Sequence, residues 1–437
     1  MNIINGDCLE ELKKLEDNSV DAVITDPPYG LSNTKPQQVA DVLKAWVTGD
    51  TVSVPAKRGG FMGKDWDSFV PPPAVWEECM RVLKPGGHMA VFAGARTQDL
   101  MGLSIRLAGF EIRDTLGWVY GSGFPKSMNI SKAVDKAVGA EREKVRSRIT
   151  PGTTAGKGFS NESDERPWMT KARAIGYHEH DSDIPASEEA QQWDGWGTAL
   201  KPAIEPIILA RKPLDGTVAN NVLAHGVGGL NIDACRVSTT DRWEASGVQS
   251  APGSSLQGSA DGSLNVSVSS THEAGRFPAN VLLDEHAAKE MDEQSGNVRG
   301  VIGMKKVSGG HNFNIGEHTP QKFNKTSGQI KDSGGASRFF PVFKYQAKAP
   351  KKERPVIERE DGTKIQHPTV KPVALMEWLV SLIVPPGGVV LDPFAGSGTT
   401  LQAALNKGFT PIGIEQDADY IKLIEKRLEE TCKTPKS

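Results

Sequence analysis

Two short stretches of the chain carry residues that could do chemistry. The first is Asp26-Pro27-Pro28-Tyr29. A carboxylate and a backbone carbonyl can each accept one N–H of a planar amine. Such an amine is a poor nucleophile, because its lone pair is delocalised into its ring. Accepting its N–H bonds raises electron density on nitrogen and holds its geometry, so positioning and electrostatics would carry the catalysis. Asp26 offers the carboxylate. Pro27 offers the carbonyl, because Pro28 fixes the turn. Tyr29 offers a flat face for stacking.

The second stretch is Asp392-Pro393-Phe394-Ala395-Gly396-Ser397-Gly398-Thr399-Thr400, and Glu415 lies 23 residues after Asp392. Glycines let a backbone approach a ligand closely, and a helix that follows offers free N–H groups at its start. An acid at the end of the next strand can accept both ribose hydroxyls, so the layout is that of a nucleoside site. The turn is not G-x-G-x-x-G, which disfavours a dinucleotide. It lacks a Gly-Lys-Ser/Thr ending, which disfavours ATP. Asp392 would repel a pyrophosphate but suits a cation. S-adenosylmethionine, whose methionine part carries an ammonium and a sulfonium, matches that charge.

Both stretches need strands to hold them. Val20 to Ile24 is a β-branched, apolar run that must stop at the two prolines. Val389-Val390-Leu391 is a buried strand, Leu401 to Asn406 begins a helix, and Pro411 to Glu415 is a second strand. Helical spacing predicts helices over Cys8–Leu15, Ala74–Leu83, Thr97–Ala108, Val373–Ile383 and Asp419–Glu430. His88–Phe92 and Glu111–Tyr120 read as strands, with Pro85-Gly86-Gly87 closing the helix before the first of them. Strands alternating with helices imply a mostly parallel α/β sheet. Residues 1–120 form the catalytic half, 121–198 a polar insertion, 199–212 a strand returning to the sheet, and 365–437 the cofactor-binding half. Glu111–Tyr120 and Pro202–Ala210 are expected to pair as one antiparallel hairpin around the insertion. Residues 213–364 read as irregular, with a flexible Ser/Gly-rich loop at 246–270.

The bulk numbers bound the answer loosely. The 437 residues are enough for a sizeable core, and a net charge of −3 gives no global sign of nucleic-acid binding. Any such surface must come from local clusters. The four cysteines, Cys8, Cys79, Cys235 and Cys432, form no C-x-x-C pair, which argues against a zinc ribbon and a disulfide framework. No metal is expected, and His178 and His180 have no nearby cysteine. The first residues do not read as a signal peptide, and no apolar run is long enough to span a membrane. Reduced cysteines in a cytoplasmic protein are expected.

The two stretches resemble the motifs of the amino-methylating DNA methyltransferases. In that family Asp/Asn/Ser-Pro-Pro-Tyr/Phe is catalytic, and Asp-Pro-Phe-x-Gly-x-Gly-Thr-Thr is a form of the cofactor motif. The catalytic motif comes first here, at Asp26, and the cofactor motif last, at Asp392. That order is similar to the permuted β class, with the target-recognition region between the motifs. The resemblance implies a Rossmann-like fold dependent on S-adenosylmethionine, with circularly permuted motifs and a large inserted recognition region. It covers about residues 1–120 and 365–430.

The resemblance also implies roles. Asn5-Gly6-Asp7-Cys8 resembles the opening element, whose acid touches the cofactor adenine; Asp7 and Cys8 would lie there. His367-Pro368-Thr369-Val370-Lys371-Pro372 resembles the motif beside the methionine end, which assigns His367, Thr369 and Lys371 to the cofactor. Asp392 to Thr399, Glu415 and Gln416 complete that set. The Asp form of the catalytic motif leans toward N6 of adenine and the Ser form toward N4 of cytosine. Pieces such as Trp196 to Pro202 and Arg276 to Asn280 look similar to methylases carried by phages and prophages. A target amine inside a duplex would have to be flipped out, at a cost of a few kcal/mol.

Double-stranded DNA is the expected partner; a homodimer and a restriction partner are left open. Phosphate contacts are expected from Lys126, Arg338, Lys344, Lys348, Lys351 and Lys352. Lys132, Lys136, Arg142, Lys144, Arg146 and Arg148 form a second basic group. Phe61 and Trp66 could wall a base pocket. C5 methylation of cytosine needs a cysteine nucleophile, and Cys8 sits in the wrong motif for it. The alternatives are an N4-cytosine enzyme and a nucleic-acid-binding protein with a regulatory or degenerate cofactor site.

Overall fold

The apolar runs read from the sequence become the middle of one nine-stranded sheet in the computed structural model. The structure describes residues 2–32, 34–55, 67–121, 123, 125, 127–148, 177–238, 275–299, 333–343, 354–359 and 361–433. Its strands are β1 Asn2–Asn5, β2 Val20–Thr25, β3 Leu83–Phe92, β4 Glu111–Val119, β5 Ile204–Arg211, β6 Val281–Asp284, β7 Val342–Phe343, β8 Val389–Asp392 and β9 Thr410–Glu415. Their order across the sheet is β1-β9-β8-β2-β3-β5-β4-β6-β7. The ladders are parallel except where β5 pairs with β3 and β4.

Strand β2 is buried along its whole length, as a central parallel strand must be. Its side chains alternate between two cores. Val23 packs with Leu12, Trp76 and Cys79 on one face. Ala22 and Ile24 pack with Phe92, Leu379 and Ala403 on the other. Helices α1 Cys8–Leu12, α2 Pro36–Val47, α3 Pro73–Val82 and α4 Gln98–Leu107 precede the middle of the chain. Then come α5 Val218–His225, α6 Glu285–Ser295, α7 Val373–Ile383, α8 Thr399–Asn406 and α9 Ala418–Lys433. Helix α7 buries Leu375, Met376, Leu379, Val380, Leu382 and Ile383, an apolar face broad enough to cover the sheet.

Three readings need correction. Strand β3 begins at Leu83, not His88, and passes through Pro85-Gly86-Gly87. Its register against β2 shifts there, from Val20↔Leu83 to Ala22↔His88. Gly86, at φ 77, lets the bulge form, so the Pro-Gly-Gly run bends the strand instead of preceding it. Second, Lys212–Lys364 is not irregular throughout: α5, α6, β6 and β7 lie in it, and the last two extend the sheet. Third, β1 and α2 were not read at all. The expected antiparallel pairing is present, from Glu111↔Arg211 to Val119↔Ile204. The loop read as flexible at 246–270, together with Phe61 and Trp66, lies outside the described residues.

The chain divides into two compact units. One comprises residues 1–121, 204–355 and 366–437; the other comprises 122–203 and 356–365. The smaller unit is built on a buried ion pair. Arg142 Nε donates to Asp135 Oδ2 at 2.6 Å, and its remaining N–H groups reach Ser131 Oγ and the Ser182 and Asp183 carbonyls. Asp135 also accepts from Ser187 Oγ and from the Ala186 and Ser187 amides. Burial opposes its charge, but these donors hold its carboxyl down at about 2. Arg142 is thus interior, not a phosphate contact. Lys132, Lys144 and Arg146 pair with Asp183, Asp181 and Glu179. The basic group read from the sequence is largely neutralised within its own unit.

Candidate active site

Three neighbouring strand ends and one returning strand build the site. Strands β8 and β2 are adjacent and parallel, with Leu391 opposite Val23, so Asp392 and Asp26 leave the sheet at the same edge. Thr25 Oγ1 ties the two ends together by donating to Asp392 Oδ1 at 2.7 Å. This is the carboxyl edge of the parallel strands, where open α/β sheets place their ligands.

The turn after β2 is held open from below. Asp67, buried, accepts the backbone N–H groups of Tyr29 at 2.7 Å and Gly30 at 3.0 Å. Thr97 Oγ1 donates to the Tyr29 carbonyl at 2.6 Å. Gly30 stands at φ 66, and a Cβ there would meet Val70 N at 2.8 Å, so only glycine fits. The Asp26 carboxylate is consequently fixed. Its Oδ1 accepts from the Tyr29 hydroxyl at 2.7 Å, and its Oδ2 lies 2.9 Å from Lys371 Nζ. Lys371 also meets Glu205 Oε2 at 3.1 Å and donates to the Tyr29 hydroxyl at 3.0 Å. Its ammonium lies 4.8 Å from the centre of the Phe92 ring. Burial would release its proton, but the Asp26 and Glu205 carboxylates outweigh burial and hold Lys371 charged, above the ordinary range. Burial, then the same two carboxylates, push the Tyr29 hydroxyl well above its usual value, so it stays a donor.

The turn after β8 is built differently. Asp392 is buried and accepts from Thr25 Oγ1 and, at 3.1 Å, from Phe394 N. Burial pushes its carboxyl up to about 6, against those hydrogen bonds. Glu415 accepts the Gly396 N–H at 2.8 Å and the Asp417 N–H at 2.9 Å, and burial pushes it up to about 7. Gly396 and Gly398 stand at φ 52 and 78, and a Cβ on Gly396 would lie 3.0 Å from His367 Nε2. Arg427, buried beneath the turn, donates to the Ser397 carbonyl at 2.7 Å and to Gln402. Helix α8 starts at Thr399, two residues before the expected start.

The flanking residues fall on the same edge. Asp7 caps α1, accepting from Leu9 N at 3.0 Å, and Asn5 Nδ2 donates to the Glu415 carbonyl at 2.8 Å. Cys8 follows, its thiol pushed up to about 12 by burial and by Asp7. His367 contacts the Thr369 carbonyl through Nδ1 and packs edge-on against Tyr420, 4.7 Å between centroids; burial lowers its proton affinity.

The structure thus brings together Asp26 to Tyr29 with Lys371, and Asp392 to Thr399 with Glu415, Asp7, Cys8 and His367. Thr369 and Gln416 lie on the exposed rim. Arg338 donates to the Gly334 and Gly335 carbonyls and stacks over Phe339, 4.3 Å from its ring centre. Lys126, Lys344, Lys348, Lys351 and Lys352 lie outside the described residues. Phe343 is buried and packs its ring against Trp118 and Trp378. Glu205 and Asp67 were missed. Glu205 had a signal: it stands at the head of β5, the strand of the nine-stranded sheet that runs antiparallel to its neighbours, whose start must lie where those neighbours end. Asp67 had none.

A family model described as DNA methylase, of the N6/N4 group, matches residues 20–426. The DNA adenine methyltransferase YhdJ of Escherichia coli (strain K12) is 48% identical over 63 residues, 14% of this chain and 21% of that protein. The type II methyltransferase M.HindIII of Haemophilus influenzae is 26% identical over 250 residues, 52% of this chain and 64% of that protein. The chain thus spans between 21% and 64% of the length of these curated relatives. Among solved structures, an M1.HpyAVI–SAM complex aligns over 98% of both chains at 15% identity and a TM-score of 0.37. PvuII DNA methyltransferase (cytosine-N4-specific) aligns over 99% of this chain and 89% of that one, at 13% identity and a TM-score of 0.41. Matched from the first residue of β2 into α9, the chain belongs to the N6/N4 DNA methylase family, whose members depend on S-adenosylmethionine.

Proposed function

We propose that the chain transfers a methyl group from S-adenosylmethionine to an exocyclic amino group of a base in double-stranded DNA, N6 of adenine. The observation that carries the reading is the pair of carboxylates at one sheet edge, Asp26 and Asp392, joined through Thr25. One belongs to an amine-binding turn and the other to a nucleoside-binding turn.

The donor set fits the cofactor. Burial penalises the charge on both Asp392 and Glu415, and among the described residues neither forms an ion pair. A cationic nucleoside supplies the missing positive charge. Asp392 would face the ammonium and sulfonium end, Glu415 the ribose hydroxyls, and Asp7 and Cys8 the adenine side. Bound there, S-adenosylmethionine supplies an electrophilic methyl group.

The chain's own residues do the rest. Asp26 accepts one N–H of the target amine and the Pro27 carbonyl accepts the other, which turns the nitrogen lone pair toward the methyl. Tyr29 stacks on the base. The Asp form of the motif, and the adenine in the name of YhdJ, support adenine. The middle of the chain would read the DNA sequence, with Lys126, Arg338, Lys344, Lys348, Lys351 and Lys352 on phosphates.

Purified protein is incubated with unmethylated duplex DNA and S-adenosylmethionine, and the digested nucleosides are identified by mass spectrometry. N6-methyladenine is expected. N4-methylcytosine keeps the contacts and changes the base, and no methylated nucleoside at all sinks the reading.

A further inference from the structure

We propose that Lys371, backed by Glu205, is a positioning residue for the target amine and not a ligand of the methyl donor. The inference rests on the function proposed above. An ammonium has three N–H donors and no acceptor. Two of them are directed, to Asp26 Oδ2 at 2.9 Å and to Tyr29 Oη at 3.0 Å, while Glu205 Oε2 lies 3.1 Å away as an ion-pair partner without hydrogen-bond alignment. Charge-assisted contacts of this kind fix direction as well as distance. With Oδ2 fastened by Lys371, the other oxygen of Asp26 has a single orientation. That oxygen, Oδ1, accepts the Tyr29 hydroxyl at 2.7 Å. The hydroxyl therefore stands where an amine N–H would have to come, and an entering base replaces one donor with another.

The sign of the charge argues the same way. The reacting end of S-adenosylmethionine is a sulfonium cation, and Lys371, already paired with Asp26 and Glu205, offers it no anion. The carboxylates Asp392 and Glu415 have the sign that end requires. Glu205 supplies the second anion, so that Lys371 is held between two carboxylates instead of moving freely with one. Strand β5 delivers it, because that strand runs opposite to its neighbours and starts at the edge where they stop.

The test uses the full chain with K371M, K371R and E205Q. Three quantities are measured: affinity for S-adenosylmethionine by calorimetry, KM for duplex DNA, and kcat for methylation. K371M should lower kcat on the order of 100-fold, the usual effect of a misplaced reacting group. Its donor affinity should stay within about 3-fold, because only an interaction made at the reacting amine is removed. K371R, which keeps the charge, should recover about 10-fold of the loss, and E205Q should lose about 10-fold. A merely structural role would move thermal stability and donor affinity along with kcat, and arginine would not rescue it. K371M with kcat within about 3-fold of wild type overturns the inference, as does a donor affinity weakened more than about 10-fold. If K371M does not fold, K371R and E205Q decide by the same criteria. Wild-type protein that methylates nothing overturns the proposed function itself. Active wild type with unchanged variants overturns only the role of Lys371.

Discussion

Asp26 and Asp392 are the same residue type at the ends of adjacent parallel strands, yet their surroundings differ, and the proposed function gives them opposite tasks. Asp26 is partly exposed and faces a cation, Lys371. Asp392 is buried and, among the described residues, meets neutral donors: the Thr400 and Thr25 hydroxyls and the Phe394 amide. The first is a carboxylate already paired, with one oxygen committed and the other available for exchange. The second has no counter-charge among the described residues, and burial, with a smaller push from the Asp26 charge, raises its proton affinity to about 6. The difference teaches that the environment of a strand end, not the identity of its acid, decides whether it holds an amine or a cation.

The comparison breaks most sharply at Asp26. Asp26→Ala should lower methylation at least about 1,000-fold, since both positioning and charge are lost. S-adenosylmethionine binding, followed by calorimetry, should be nearly unchanged. A variant that kept full activity would end the assignment of the two tasks.

Asp392→Asn should do the reverse. Donor affinity should weaken on the order of 10- to 100-fold, the range for a charged hydrogen bond. The donor-free protein should become more stable near pH 8. A carboxyl raised from 3.8 to about 6 favours the folded state only while protonated; that contribution is lost as pH rises through about 6. Removing the charge should therefore stabilise by up to roughly 3 kcal/mol at pH 8. The gain in melting temperature should shrink as pH falls toward 4. A gain independent of pH would mean that the Asp392 charge is not what burial penalises.

Glu415 sharpens the same contrast. Its carboxyl is raised to about 7, and a cationic donor selects its ionised form. Affinity for S-adenosylmethionine should therefore rise about 10-fold between pH 6 and 8, with close to one proton released on binding at pH 6 and almost none at pH 8. Glu415→Gln should bind more weakly and show a much shallower profile, with about the 2-fold change that Asp392 leaves. Smallest of all is Gly396→Ala. At φ 52, with a Cβ 3.0 Å from His367 Nε2, it should cost about 1–2 kcal/mol in stability and a few-fold in donor affinity. Thermal melts would show it.

How much of this was legible in the sequence follows from where each contact comes from. Strands β2 and β8 and their turns were readable, because a buried parallel strand is a continuous apolar run and each turn ends it abruptly. The two-residue strand β7 was not, because it exists only through its pairing with β6, and no periodicity can mark so short a piece. Lys371 was read by resemblance as a cofactor residue. Its contacts, with Asp26, Tyr29 and Glu205, depend on a strand more than 160 residues away, which spacing cannot reveal. Asp67 reaches the Tyr29 and Gly30 amides from a loop of no distinctive pattern.

The hydrogen bond from Thr25 to Asp392 joins residues 367 apart in the chain. On the ribosome this has a consequence of timing. Strand β2 is made well before the neighbour on one of its flanks, β8, which follows it by more than 360 residues. Until then that flank presents unpaired backbone N–H and C=O groups. Such long-range pairing closes slowly and leaves the nascent chain open to aggregation. The turns after β2 and β8 therefore mature together, only once β8 has emerged.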